Sequence, residues 1–226
     1  MSHRLRYEAQ RVQARVEQGE PYWPAFVCLA VAVALNLALA DRVTVGPWWL
    51  VPAVGAVALV ALAIVAPTRA THHVRRVRTL AICITAAVTL TNVVQLVLLA
   101  HYLIDGGDAG GHSLIVSGVA LWLTNVLLFG VWYWEMDRGG PVARFQHPDN
   151  HADFMFPQMD NPHYAPPNWR PGFGDYLYTS LTAATAFSPT DTMPLTQTAK
   201  LVMAVQSTTA FATIGLVIAR AVNILG

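Results

Sequence analysis

The chain has 226 residues, of which 54% are hydrophobic and only 12% are charged. Soluble domains carry about 25% charged residues, so the composition excludes an ordinary soluble protein and indicates that much of the surface faces lipid. The net charge of +1 gives no basis for nucleic-acid binding.

Five segments are apolar and long enough to cross a bilayer as helices, which takes about 20 residues for a hydrocarbon core of roughly 30 Å. They cover residues 22–40, 47–66, 79–103, 113–134 and 195–225. Aromatic residues stand at the ends of these segments, as an interfacial belt requires: Trp23, Trp48, Trp49, Trp132, Tyr133 and Trp134. The sequence therefore divides into a basic N-terminal segment (1–21), a four-helix region (22–134), a Pro-, His- and Asp-rich loop (135–171) and a C-terminal unit (172–226).

The C-terminal unit begins with residues 173–189, which are too short and too rich in Thr and Ser for an ordinary span. Pro189 has no backbone N–H and disfavours helix at Ser188, so we expect a short helix that breaks at 188–191. A long apolar helix should follow from about Pro194. The predicted fold is all-α, a polytopic membrane bundle of five transmembrane helices plus a re-entrant half-helix, or of six transmembrane helices.

Arginine in the loops predicts the orientation. Eleven of the 14 basic residues lie in the N-terminal segment, the 67–78 loop and the 135–171 loop. All three segments fall on one side if four spans precede the last loop. The positive-inside rule then places them in the cytoplasm of a cell (inner or plasma) membrane.

A resemblance covers about the last quarter of the chain. The run SLTAATAFSPTDTMPLTQTAKLVMAVQSTTAFATIGLVIARAVNIL resembles the pore helix, filter and inner helix of potassium-channel-like pore modules. Asp191 then matches the Asp that closes the filter, Pro194 the outer Pro, and Gly215 a mid-helix Gly. The resemblance implies a homo-oligomeric cation channel. The filter glycines are missing, so potassium selectivity is not implied. Overall the chain is closer to uncharacterised bacterial integral membrane proteins with a similar turn.

The residues expected to line the path lie in or beside this turn: Thr182, Thr185, Phe187, Ser188, Pro189, Thr190, Asp191 and, at the start of the half-helix, Asp175. Hydroxyl oxygens replace water around a dehydrated cation, and Asp191 adds a negative charge. Two plainer interpretations stay open. Asp191 could cap the following helix, and Asp175 could cap the half-helix.

Polar residues within the spans are expected to join helices by hydrogen bonds, although they could also line a path: Asn36, Asn92, Gln95, His101, Asn125 and Gln206. His147, His151 and Asp153 are weak metal candidates, because a site needs three or four convergent ligands, and neither metal nor cofactor is expected. No catalytic motif occurs, so we do not expect an enzyme.

Three hypotheses remain: a pore-loop channel for a monovalent cation, a small transporter with a site inside one protomer, and an accessory membrane protein.

Overall fold

The computed structural model describes residues 20–36, 74–104, 111–147, 149–185 and 191–225, together with positions 39, 53, 55, 56 and 60. Within these residues the chain is a bundle of helices, which confirms the all-α prediction. The predicted span 47–66 falls mostly outside the described residues, as does the 186–190 part of the predicted turn.

The described helices, in chain order, are α1 (Trp23–Leu35), α2 (Val74–Ile104), α3 (Gly111–Met136), α4 (Pro141–Gln146), α5 (Pro157–Asp160), α6 (Phe173–Thr185) and α7 (Gln197–Leu225). Short 3-10 helices cover Asp137–Gly139 and Pro162–Tyr164. Two strands of two residues each, β1 (Phe154–Met155) and β2 (Met193–Pro194), were not expected from the sequence and pair antiparallel.

Among the described residues, three helical stretches are long and apolar enough to cross a membrane, namely Arg78–Ile104, His112–Gly139 and Gln197–Arg220. They correspond to three of the five predicted spans. Helix α1 has only 13 residues, which corresponds to about 20 Å of helix. This helix covers the first part of the predicted span 22–40, and positions 37, 38 and 40 lie outside the described residues. Asn36 ends the helix, and its Nδ2 donates to the Ala32 carbonyl at 2.9 Å.

Helix α3 is the centre of the bundle, since α1, α2, α6 and α7 all pack against it. Its apolar stretch is 67% buried, compared with 39% for α2 and 17% for α7. Two glycines permit close packing here. A Cβ on Gly118 would stand 2.2 Å from a methyl of Val217 in α7, and one on Gly130 would stand 2.9 Å from Leu177 in α6.

Residues 137–171 cover one end of the bundle and are called the cap below. The cap begins with a sharp turn in which Arg138, Gly139 and Gly140 have φ values of 53°, 84° and 98°. At Gly140 a side chain would also meet the Glu135 carbonyl at 3.0 Å, so this position requires glycine. The sequence predicted an extramembrane loop here, and the structure gives it ordered short helices.

Helices α6 and α7 both begin at the cap. Strand β2, just before α7, pairs with β1 of the cap. Thr192, close to β2, also lies beside the second turn of α6, where the Thr179 and Thr192 hydroxyl oxygens are 3.2 Å apart. Helix α7 begins at Gln197 and not near Pro194, because residues 193–194 are used as a strand.

Candidate functional site

The predicted turn is described only at its two ends. On the α6 side, the Thr182 hydroxyl donates to the Tyr178 and Thr179 carbonyls, each at 3.0 Å, and Thr185 donates to the Thr182 carbonyl at 2.9 Å. The hydroxyl protons of Thr182 and Thr185 thus point back along the helix, and the lone pairs of the two hydroxyl oxygens remain available as acceptors. Phe187, Ser188, Pro189 and Thr190 lie outside the described residues.

Asp191, on the other side of the turn, is exposed. The cap of the following helix is Thr196, whose Oγ1 accepts from the Ala199 N–H at 3.2 Å. The capping role considered for Asp191 therefore belongs to Thr196.

Asp175 is the third residue of α6, and its Oδ2 accepts from the Gly172 N–H at 2.8 Å. This matches the return bond of a capping box. The prediction that Asp175 is the N-cap residue is therefore wrong in position, although its carboxylate does accept a backbone N–H at the start of α6.

A buried hydrogen-bond chain holds α6 against α3 and α7. Gln206 of α7 is fully buried, and its Nε2 donates to the carbonyl and the hydroxyl of Ser180 at 2.9 and 2.7 Å. Ser180 donates in turn to the Val126 carbonyl of α3 at 2.7 Å. The Tyr133 hydroxyl of α3 donates to Gln206 Oε1. The prediction that Gln206 joins helices is confirmed.

Tyr133 and Trp134 correct part of the predicted aromatic belt. Both stand at the end of a span as expected, but both are 0% exposed, whereas a belt residue lies at the lipid interface. Their polar atoms bond inward, Tyr133 to Gln206 and the Trp134 Nε1 to Glu20. Trp23 is 64% exposed, as the belt prediction requires.

The last turn of α6 ends among side-chain donors of neighbouring helices. Ser207 donates to the Ala183 carbonyl at 3.2 Å, and the Trp122 Nε1 donates to the Ala184 carbonyl at 3.3 Å. Helix ends leave carbonyls without partners in the helix, and here the bundle supplies those partners in place of water.

Other polar residues of the spans divide into two groups. Gln95 of α2 donates to Asn36 Oδ1 at 2.8 Å, which confirms a helix-joining role. Asn92 Oδ1 and both amide atoms of Asn125 are buried, and no atom among the described residues bonds to them. A buried amide without a partner costs about 1–3 kcal/mol, so these positions are suited to water or a polar solute.

The sequence did not reveal a cluster of charged residues that joins the cap to the bundle. Asp137 is 0% exposed and accepts from the Asp153 N–H, the Phe154 N–H and the Tyr176 hydroxyl at 2.8, 3.3 and 2.6 Å. Arg144 donates to the Trp134 and Asp137 carbonyls at 2.9 and 3.0 Å, and to Glu20 at 3.1 Å. The sequence feature that could have indicated this cluster is the group of charged residues that directly follows an apolar span.

A second ion pair, Arg78 with Glu135 at 3.3 Å, joins the start of α2 to the end of α3. The segments around Glu20, Arg78 and the cap thus share one end of the bundle.

The metal candidates do not converge. Helix α4 ends at Gln146, so His147 and His151 do not share a helix face, and both are exposed. Asp153 is engaged elsewhere, since Oδ1 accepts from the Thr196 hydroxyl at 2.6 Å and Oδ2 from the Arg138 N–H at 3.1 Å. In the described part of the chain, no three His, Cys, Asp or Glu residues are grouped to hold a metal ion.

Gly215 lies on the outer face of α7, with nothing within 4 Å of the position of a Cβ. The exposed residues of that face recur at helical spacing: Leu201, Ala204, Val205, Thr208, Phe211, Ala212, Gly215, Ile218 and Val222. Small residues at such spacing let two helices approach closely.

No family model, curated protein or solved structure matches this chain. The resemblance to pore modules therefore stays a prediction from the sequence.

Proposed function

We propose that this chain is a multi-pass protein of the cell membrane, and that residues 173–194 form a re-entrant hairpin. We further propose that this hairpin lines a path for a monovalent cation in a homo-oligomer.

The attachment of both ends of the hairpin to the cap carries the proposal. Helix α6 has 13 residues, about 20 Å of helix, which is short of the roughly 30 Å of a bilayer core. The Tyr176 hydroxyl near its start donates to Asp137 of the cap, and β2 before α7 pairs with β1. A chain that enters and leaves at the same end fits a re-entrant loop better than a sixth span.

The chemistry of the turn supports a cation. The Thr182 and Thr185 hydroxyl protons bond within α6, so the lone pairs of both oxygens remain available as acceptors. Such oxygens are ligands that replace ion hydration, and Asp191 supplies an exposed carboxylate at the other side of the turn.

The outer face of α7 supports assembly, because its apolar stretch is only 17% buried within one chain. In the proposed orientation the cap faces the cytoplasm, since Glu20, Arg78 and the cap share one end and most arginines belong to these segments. The hairpin would then enter the membrane from the cytoplasm.

Flux measurements test the proposal. The full chain reconstituted in liposomes should conduct K⁺ or Na⁺ more readily than Cl⁻, and its mass in detergent should be that of an oligomer. Asp191→Asn should lower the cation flux or the preference for cations, since it removes the charge from the turn. Asp149→Asn is the matched control, because Asp149 is an exposed carboxylate of the cap outside the hairpin. Unchanged flux in Asp191→Asn would contradict the role of this charge.

One observation favours the transporter alternative. Asn92 and Asn125 are buried within one protomer and bond to no described residue, as residues of an internal solute site would. A monomeric protein with saturable uptake that is abolished by Asn125→Leu would support this alternative over a channel. A monomer with no flux would favour an accessory role.

A further inference from the structure

A small cavity opens between the cap and the segment that precedes α1. It has a volume of about 40 Å³ and is lined by Glu20, Arg138, Arg144, Phe145, Arg170 and Pro171. Its lining thus carries three positive charges and one negative charge. A water molecule needs about 10–15 Å³ of such volume, so the cavity has room for roughly three waters or for the oxygens of one phosphate group.

Arg144 forms the inner wall and is only 6% exposed. Its two terminal nitrogens are occupied by Glu20 and by the Trp134 and Asp137 carbonyls. Its Nε is buried and makes no hydrogen bond with any described residue. A buried guanidinium N–H without an acceptor is costly, and an anionic oxygen in the cavity would satisfy it.

Glu20 does not oppose an anion strongly, because its carboxylate accepts from Arg144 at 3.1 Å and from Trp134. Arg170 stands at the outer edge, exposed, with its guanidinium carbon 5.1 Å from the centre of the Phe145 ring. Stacking on an aromatic ring orients the guanidinium. The described lining therefore carries a net positive charge, with the exposed Arg170 guanidinium at its outer edge.

The cavity lies at the depth where lipid headgroups are expected. Its Glu20 accepts from Trp134, and the candidate membrane-spanning stretch His112–Gly139 ends beside it. Basic pockets at the cytoplasmic end of membrane helices suit anionic headgroups, and arginine forks match the geometry of phosphate oxygens.

We infer that this cavity binds a phosphate group, carried either by an anionic phospholipid headgroup or by a soluble phosphate. The inference does not depend on ion conduction.

Binding is measured on the full chain in detergent, as the rise in melting temperature on titration with two probes. One probe is short-chain phosphatidylglycerol, with a diacylglycerol of the same chain length as its phosphate-free reference. The other is inorganic phosphate, with chloride at equal ionic strength as its reference. We expect a saturable rise with at least one phosphate probe and none with its reference. A rise with phosphatidylglycerol alone assigns the site to a headgroup, and a rise with both shows that the cavity also admits free phosphate.

Arg170→Gln provides the decisive variant, since Arg170 is exposed and its loss leaves the buried pairs intact. The concentration at half-maximal effect should increase about tenfold, as expected for one charge-assisted contact. Arg138→Gln should act in the same direction. Lys200→Gln is the control, because it removes an exposed positive charge from the first turn of α7 outside the cavity, and it should change the midpoint less than twofold. No rise with either phosphate probe would overturn the inference, and so would equal losses in Arg170→Gln and Lys200→Gln.

Discussion

Replacing Gln206 with leucine should weaken the attachment of α6 to α7 while keeping the volume of the side chain nearly constant. Gln206 is 0% exposed and bonds to Ser180 twice and to Tyr133 once. Leucine keeps none of these bonds. Ser180 retains its bond to the Val126 carbonyl, whereas the Tyr133 hydroxyl loses the acceptor that it has on α7.

The expected cost follows from these contacts. A buried donor that loses its acceptor costs about 1–3 kcal/mol, and side-chain hydrogen bonds in membrane bundles average about 0.6 kcal/mol each. We therefore expect Gln206→Leu to lower the free energy of unfolding by about 2 kcal/mol. Adding Tyr133→Phe removes the stranded hydroxyl, so the double variant should recover about 1 kcal/mol, which is within the range for residues in contact.

Unfolding by a denaturing detergent, followed by circular dichroism, measures all four members of this double-mutant cycle. Gln197→Leu is the matched control, since Gln197 is an exposed glutamine at the start of the same helix and should change stability by less than about 0.5 kcal/mol. A coupling energy between Gln206 and Tyr133 that is indistinguishable from zero would refute the argument. So would a loss in Gln197→Leu as large as that in Gln206→Leu.

Three further outcomes are expected. A single cysteine at Asn150, in the exposed part of the cap, should resist an impermeant thiol reagent added outside cells, and strong labelling would reverse the proposed orientation. Pro189→Ala should change flux or stability, because proline ends helices; behaviour identical to the unmodified chain in both assays would make the turn a plain connector. Gly118→Ala should destabilise the bundle by about 1–3 kcal/mol through overpacking, since its Cβ would stand 2.2 Å from Val217. The control Gly174→Ala has nothing within 4 Å of its Cβ position and should cost little, so equal losses in the two variants would contradict the packing argument.

Hydropathy predicted the three long helices well, because a continuous apolar run is a local property of the sequence. The half-length helix was also predictable, since 173–189 is short and ends near Pro189. The structure shows α6 over Phe173–Thr185, within the predicted range.

The inward direction of Tyr133 could not be predicted in this way. An aromatic residue at the end of a span fits a lipid interface equally well, and its partner Gln206 lies 73 positions away. The β1–β2 pair and the buried Asp137 depend on similar long-range contacts, so a local pattern carries no signal for them. For the same reason the start of α7 was placed too early, near Pro194, which the structure uses as a strand.

Asp153 holds together three parts of the chain that are far apart in sequence. Its carboxylate accepts from Thr196, which caps α7, and from the Arg138 N–H in the turn that follows α3. Its carbonyl also accepts from the Leu195 N–H at 2.8 Å. A change in the tilt of α7 must therefore carry the cap with it or break these bonds. By thermodynamic linkage the dependence is reciprocal, so a ligand that favours one position of the cap must also bias the tilt of α7.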